Sequence, residues 1–196
     1  MEMLLKSGLG VRTRKTIKEA GLQQAAVLLP LFTLDGACHV LFIKRSQKVE
    51  HHKGEISFPG GICEESDGRR ENTALRETRE EIGILPEDVR VLGLLDDFRT
   101  QSTSYRVTPV VGFIPYPYPF VLNRREVEKI ITAPLAHLLD AGNGGEEEVI
   151  RGGKAYRGHV YRYGRHVIWG ATARILVGFL TLWNELSRGR DSQIHR

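Results

Sequence analysis

Residues 23–32, QQAAVLLPLF, run apolar almost without a polar break. A run of that length and character is a buried strand or the start of one, and the fold has to be assembled around it. LDGA (34–37) is a turn signal, and CHVLFIKR (38–45) reads as the return strand of a hairpin. VRVLGLLDDF and YRVTPVVGFI read as strands on either side of the polar loop RTQSTS, and REVEKIITA as another. Helices are predicted over TRKTIKEAGL, from Arg69 to Ile82, over PLAHLLDAG and from Ala171 to Leu186. PYPYPF cannot lie inside a sheet, because proline donates nothing to the ladder. GNGGEEE reads as a flexible acidic loop, and AYRGHVYRYGRHVIWG as a hairpin turning near Tyr163-Gly164. Strands and helices alternate irregularly. That predicts an α/β chain, with a mixed sheet between helices in one domain over residues 23–190 and an N-terminal extension, 1–22, carrying a packed helix.

Composition narrows the function classes. A chain of 196 residues with 41% hydrophobic and 27% charged residues buries a substantial core. The longest apolar candidate, ILVGFLTLW (175–183), falls short of the ~18 residues that span a membrane and reads as a buried helix. MEMLLKSGLGVRTRK lacks the apolar core and cleavage site of a signal peptide. Two cysteines, Cys38 and Cys63, make no disulfide framework, so a reducing cytoplasm is the expectation. The net charge of +4 admits an anionic substrate. No dense Lys/Arg stripe with interleaved aromatics points to nucleic acid. Monomer and homodimer are both compatible with these numbers.

One segment carries chemistry. PGGICEESDGRRENTALRETREEIGI (59–84) places a glycine turn before a helix with Glu77, Glu80 and Glu81. Ser66 or Asp67 is the expected N-cap and Gly83 the C-cap. With Glu77 at zero, Glu80 falls at about −60° and Glu81 at about +40°, so the three share one arc. Leu75 and Ile82 fall on a separate apolar arc. Like charges at such spacing cost about 0.2–0.5 kcal/mol per pair in water. A divalent cation would turn the repulsion into attraction, and carboxylate oxygens with a few waters suit Mg²⁺ or Mn²⁺. The alternative is a solvated acidic face interleaved with Arg76 and Arg79. Gly60-Gly61 favours the metal, because it lets backbone approach an ion beside the helix.

The same residues resemble the Nudix box, G-x5-E-x7-R-E-U-x-E-E-x-G-U with U aliphatic. RETREEIGI (76–84) fits its second half, with Thr78 in place of the aliphatic residue. In the first half Asp67 stands where Glu is usual, and eight residues rather than seven lead on to Arg76. That form is similar to the coenzyme A pyrophosphatase-like branch, with Glu64 replacing its first Asp in G-G-x-x-D-x-x-D. LFIKRSQKVEHHKGEISFPGG (41–61) is similar to the branch's preceding signature, L-L-T-x-R-S/A-x3-R-x3-G-x3-F-P-G-G. Arg45, Ser46, Gly54, Phe58, Pro59, Gly60 and Gly61 match, while Glu50 stands where Arg is expected.

The resemblance implies an α/β/α sandwich around a mixed sheet and metal-assisted hydrolysis of a small-molecule diphosphate. It implies metal binding by Glu77, Glu80, Glu81 and the Gly61 carbonyl, with Glu77 also a candidate base. Arg76 would orient a neighbouring glutamate, and Glu126 would be a further ligand or a base, against a solvated strand start. Arg45, Lys53 and Gly60 would meet the substrate. Glu146, Glu147 and Glu148 in their loop, and His51 and His52 before Gly54, are lesser candidates. Cys63 is read as incidental, and Trp169 and Gly170 as packing. Substrates other than coenzyme A (ADP-ribose, a dinucleotide, a nucleoside triphosphate) and a non-catalytic nucleotide-sensing domain are the alternatives.

Overall fold

The computed structural model describes residues 1–50, 52–100, 104–151 and 153–194. The apolar run becomes strand β1 (Gln23–Leu34), and it is covered on both faces. Its alternation shows why the sequence has no polar period. Ala25, Leu29 and Leu31 point into one apolar cluster, while Ala26, Leu28 and Phe32 point into another on the opposite side. Strand β2 (Ala37–Arg45) repeats the pattern, with Val40 and Phe42 on the first side and Leu41 and Ile43 on the second.

Among the described residues the large sheet has eight strands. Short strands β3 (Ile56–Ser57) and β4 (Gly60–Ile62) follow, and then helix α2 (Arg70–Ile82), helix α1 (Glu2–Val11) having preceded β1. Next come β5 (Arg90–Leu94), β6 (Phe98–Arg99), β7 (Tyr105–Phe113) and β8 (Val127–Pro134). The central order is β3-β2-β1-β7-β5, with β4 against β1, β6 against β7 and β8 against β2. β1 and β7 run parallel from Gln23↔Tyr105 to Leu31↔Phe113, and the other pairs are antiparallel, so the sheet is mixed. Helix α2 covers one face through Ala74 and Ile82. Leu5 and Leu9 of α1 join the other face, together with α4 (Gly170–Ile194) through Ala173, Leu176 and Phe179. Between β8 and α4 lie α3 (Leu135–Leu139) and a second sheet of β9 (Gly144–Arg151), β10 (Lys154–Tyr163) and β11 (His166–Ile168).

Four local readings are corrected. TRKTIKEAGL is not a helix; the N-terminal helix lies earlier, at Glu2–Val11. The extended chain after it is claimed by tertiary bonds instead. The Lys15 and Ile17 amides donate to the carboxylates of Asp96 and Asp97, and Arg14 pairs with Asp97. GNGGEEE is not a loop. From Gly144 on, its glycines and glutamates belong to β9, held by the ladder to β10 and by pairs such as Glu147 with Arg162, so pairing overrides weak strand propensity. The last helix runs past Leu186, to Ile194. Neither Ser66 nor Asp67 caps α2, whose N-cap position is Arg69. No helix among the described residues is long and apolar enough to cross a membrane.

Candidate active site

Helix α2 carries the site. Ala74, Thr78 and Ile82 are buried, and Glu81 falls on the same stripe, one turn beyond Thr78 and two beyond Ala74. Docking the helix therefore takes Glu81 inside, leaving it 2% exposed. Thr78, the departure from the aliphatic pattern, is fully buried and donates its hydroxyl to the Ala74 carbonyl at 2.6 Å, so its polar atom is satisfied within the helix. Gly83 ends the helix in the left-handed conformation, with its N–H on the Arg79 carbonyl.

The turn at Pro59-Gly60-Gly61 meets this helix. Gly60 has φ +151°, and a Cβ there would lie 2.4 Å from the Ala26 carbonyl oxygen. Only glycine fits, and the Gly60 N–H then donates to Glu81 Oε2 at 2.9 Å. A Cβ on Gly61 would come within 2.5 Å of Glu77 Cδ, so that glycine lets backbone lie directly on the Glu77 carboxyl.

These acids crowd one another. Burial pushes the Glu81 carboxyl up to about 8, against the Gly60 N–H bond and the Arg45 guanidinium, whose Nη1 lies 3.7 Å from Oε1. Burial also raises Glu77, against the pull of Arg76, and the charges of Glu80 and Glu126 push the same way. Glu126, just before β8, thus lies within electrostatic reach of both Glu77 and Glu81. Its Oε1 accepts from Asn123 Nδ2 at 2.9 Å, and its carbonyl accepts from the Ser46 N–H at 2.7 Å.

Arg76 offsets part of the repulsion among these acids. Its Nε donates to Asp67 Oδ1 at 2.9 Å and its Nη2 to Asp67 Oδ2 at 3.2 Å. Nη2 also donates to the Ile62 carbonyl, while Nη1 lies 3.0 Å from Glu77 Oε1 and 3.3 Å from Glu80 Oε1. Asp67 is buried and is held down at about 2, first by Arg76, with the Glu64 amide and Thr73 hydroxyl adding to it. Sequence reasoning used Asp67 only as a motif position and as a candidate cap. Its spacing to Arg76 was the available signal. Ser46 and Asn123, which fix Glu126, carried no signal beyond the first one's match to the signature.

Among the described residues no three acid, imidazole or thiol side chains already stand in ligand geometry around one point. Glu80 is one reason: its carboxylate, 54% exposed, turns toward Arg76. The donor chemistry nevertheless fits a hard divalent cation. Glu77, Glu81, Glu126 and the Gly61 backbone are all oxygen donors, and burial, with a smaller push from the neighbouring acids, disfavours the charged Glu77 and Glu81 carboxyls in the absence of a cation.

The other candidates lie elsewhere or are engaged. Arg45 reaches toward Glu81. Lys44 pairs with Glu128 at 2.7 Å. Lys53 and Glu50 are exposed on the segment between β2 and β3. His52 Nδ1 sits 3.0 Å from Glu55 Oε2, and His51 lies outside the described residues. Glu146 and Glu147 face Arg157 and Arg162 of β10. Trp169 packs on Tyr156, with ring centroids 5.7 Å apart, and Cys63 is a free thiol beside the turn.

Comparison with known proteins decides the family. The NUDIX domain profile matches residues 22–150, which hold the whole constellation. The chain belongs to the Nudix family. This Nudix chain is 40% identical over 154 residues to the human mitochondrial coenzyme A diphosphatase NUDT8, covering 77% of this chain and 65% of that protein's length. It is 38% identical over 154 residues to the uncharacterized Nudix hydrolase NudL of Photorhabdus laumondii, with 79% and 81% covered. The NudL of Escherichia coli K12 is 36% identical, with 79% of each covered. Among solved structures, a MutT/nudix family protein from Enterococcus faecalis superposes with TM-score 0.60 at 15% identity, over 88% of this chain and 64% of that one. A MutT protein from Methanosarcina mazei Go1 gives 0.52 at 14%, over 91% and 98%. These two share the fold, which is the Nudix α/β arrangement around a large mixed sheet. The chain is a hydrolase of diphosphate bonds in small molecules, from a family that generally uses divalent metal ions.

Proposed function

We propose that this Nudix chain hydrolyses the diphosphate of coenzyme A or its acyl forms. Water would cleave one P–O–P link, releasing adenosine 3′,5′-bisphosphate and 4′-phosphopantetheine or its acyl derivative. The observation that carries this reading is the 40% identity to a coenzyme A diphosphatase across 77% of the chain. The signature at residues 41–61, which ends on the two glycines of the site, supports it.

Glu77, Glu81 and the Gly61 carbonyl would hold Mg²⁺ or Mn²⁺, with Glu126 beside them. Glu80, now paired with Arg76, would be a further ligand. When bound, such an ion neutralises phosphate oxygens and acidifies the attacking water. The chain's own contribution is placement. Gly60 and Arg45 fix Glu81, Asn123 and Ser46 fix Glu126, and Arg76 spans Asp67, Glu77 and Glu80. In this reading Glu77 or Glu126 would take the proton of the attacking water. Lys53 and the Gly60 backbone remain the substrate contacts in this reading.

One observation favours a different diphosphate, such as ADP-ribose or a dinucleotide. Lys44 and Arg45, two cations suited to a 3′-phosphate, are engaged by Glu128 and Glu81, and Glu50 adds an exposed negative charge. Product analysis decides between them. With Mg²⁺ or Mn²⁺ the chain is incubated with coenzyme A, acetyl-coenzyme A, ADP-ribose and a dinucleoside polyphosphate. Fastest cleavage of the coenzyme A compounds supports the proposal. Faster cleavage of ADP-ribose or the dinucleotide replaces it.

A further inference from the structure

Arg45 ends β2 at the rim of the carboxylate site and Ser46 follows it; the Arg45 side chain meets the Glu81 carboxyl, and the Ser46 N–H holds the Glu126 main chain. Arg45 Nη1 lies 3.7 Å from Glu81 Oε1, and the Arg45 side chain is 24% exposed against 2% for Glu81. Arg45 Nε is buried and has no partner among the described residues. The guanidinium has thus been drawn partly out of water at Nε, and Glu81 is the acid it pairs with, an arrangement with a cost unless the pairing matters. The opposite oxygen of Glu81, Oε2, takes the Gly60 N–H. The carboxylate is therefore clamped between the end of β2 and the glycine turn.

Ser46 holds the main chain of Glu126 rather than its carboxylate. Its N–H donates to the Glu126 carbonyl at 2.7 Å, and its own hydroxyl accepts from the Lys48 N–H at 3.1 Å, which fixes the turn. Ser46 is 5% exposed, so this is an interior hook rather than a surface contact. A register shift makes the geometry possible. β2 and β8 pair Lys44↔Lys129 and then Arg45↔Val127, so Glu128 is an extra residue in β8. A bulge of this kind bends the strand and re-aims the chain beside it, here bringing Glu126 to Ser46.

We infer that Arg45 is a positioning residue that acts through Glu81, beside the main-chain anchor of Glu126 at Ser46, and that Arg45 is not part of the substrate-binding surface. Arg45-Ser46 then ties an acid of α2 and the acid before β8 to one strand end. The inference rests on the reading of Glu81 and Glu126 as metal-holding groups.

A double-mutant cycle of Arg45→Gln and Glu81→Gln tests it with two readouts. The first is thermal unfolding in excess chelator, where no metal or substrate enters. Arg45→Gln leaves a buried carboxylate without its cation and should lower Tm by roughly 5 °C or more. In the Glu81→Gln background the same change should lower Tm by less than about half as much, because the pair is already gone. The second is steady-state kinetics with coenzyme A and saturating Mg²⁺. Arg45→Gln should lower kcat by about tenfold or more, with KM within about threefold of wild type, and should add little to Glu81→Gln. Arg45→Lys should recover part of kcat. A KM raised tenfold with kcat intact, or effects of the two mutations that multiply, overturns the inference in favour of a substrate contact. Additive Tm losses overturn it independently of any substrate. Wild type that leaves coenzyme A intact refutes the substrate reading alone, and Glu81→Gln with normal turnover refutes the carboxylate reading. In either case the Tm cycle still judges the Arg45–Glu81 tie.

Discussion

Replacing Asp67 by Asn keeps the shape of the side chain and removes its charge, which isolates the bond that holds Arg76. Asp67 accepts from Arg76 Nε and Nη2, from the Thr73 hydroxyl at 2.8 Å and from the Glu64 amide at 2.9 Å. Its carboxyl is depressed from 3.8 to about 2, first by the Arg76 bond. A shift of that size is worth up to about 2.4 kcal/mol at neutral pH. Arg76 is 24% exposed, so solvent screening brings the figure to about 1–2 kcal/mol. For a chain of this size each kcal/mol moves Tm by about 2–4 °C, so Asp67→Asn should lose about 2–8 °C at pH 7. The pH dependence carries the argument. A folded pKa below the unfolded value gives stability that is complete above the unfolded pKa and fades as pH falls toward the folded one. The gap between wild type and variant should therefore hold from pH 7 to about 5 and shrink between about 4 and 2. Thermal unfolding by circular dichroism at fixed ionic strength, with chelator present, measures it. A gap that stays constant down to pH 2, or widens, refutes the Arg76–Asp67 account.

Activity should vanish in excess chelator and return with Mg²⁺ or Mn²⁺, and Ca²⁺ should replace them poorly because its looser shell misplaces the nucleophile; full activity in chelator contradicts a metal-assisted reaction. Glu81→Gln should hold or raise the metal-free Tm, since burial already disfavours that charge, and a large drop would mean that its tie to Arg45 outweighs the cost of burying it. Glu50→Arg should raise the preference for coenzyme A over dephospho-coenzyme A in competition assays, by about tenfold for each 1.4 kcal/mol that the new cation adds to binding of the 3′-phosphate; no change in that ratio places Glu50 away from the 3′-phosphate.

The central strands were legible because their burial leaves a mark in composition. QQAAVLLPLF is apolar on both faces since both faces are covered, and PYPYPF breaks where no ladder forms. The acidic helix was legible through its spacing, from Arg70 to the Gly83 stop. What failed depends on distant partners. TRKTIKEAGL has helical local preferences, yet Asp96 and Asp97, some eighty residues on, bind its backbone in an extended form. GNGGEEE looks like a loop until Arg157 and Arg162 are brought opposite its glutamates. At the site, the three glutamates share an arc in sequence, but packing separates them. Glu81 follows the buried Ala74–Thr78 stripe inward, Glu77 lies half-buried, and Glu80 turns out to Arg76. The helical wheel shows which residues share a face; it does not show how deep the sheet takes each of them. The motif alone makes Arg45 a substrate contact, and only the fold shows Glu81 beside it.

The central claim is that a divalent cation compensates the acids of α2. Titration of the substrate-free chain with Mn²⁺, following free Mn²⁺ by electron paramagnetic resonance, tests it most directly. Wild type should take up Mn²⁺ with a saturable isotherm, and Glu81→Gln, with its fold verified by circular dichroism, should bind at least about tenfold more weakly. Equal uptake by the two proteins, or no saturable uptake by wild type, would contradict the claim and return α2 to an acidic helix balanced by Arg45 and Arg76 alone.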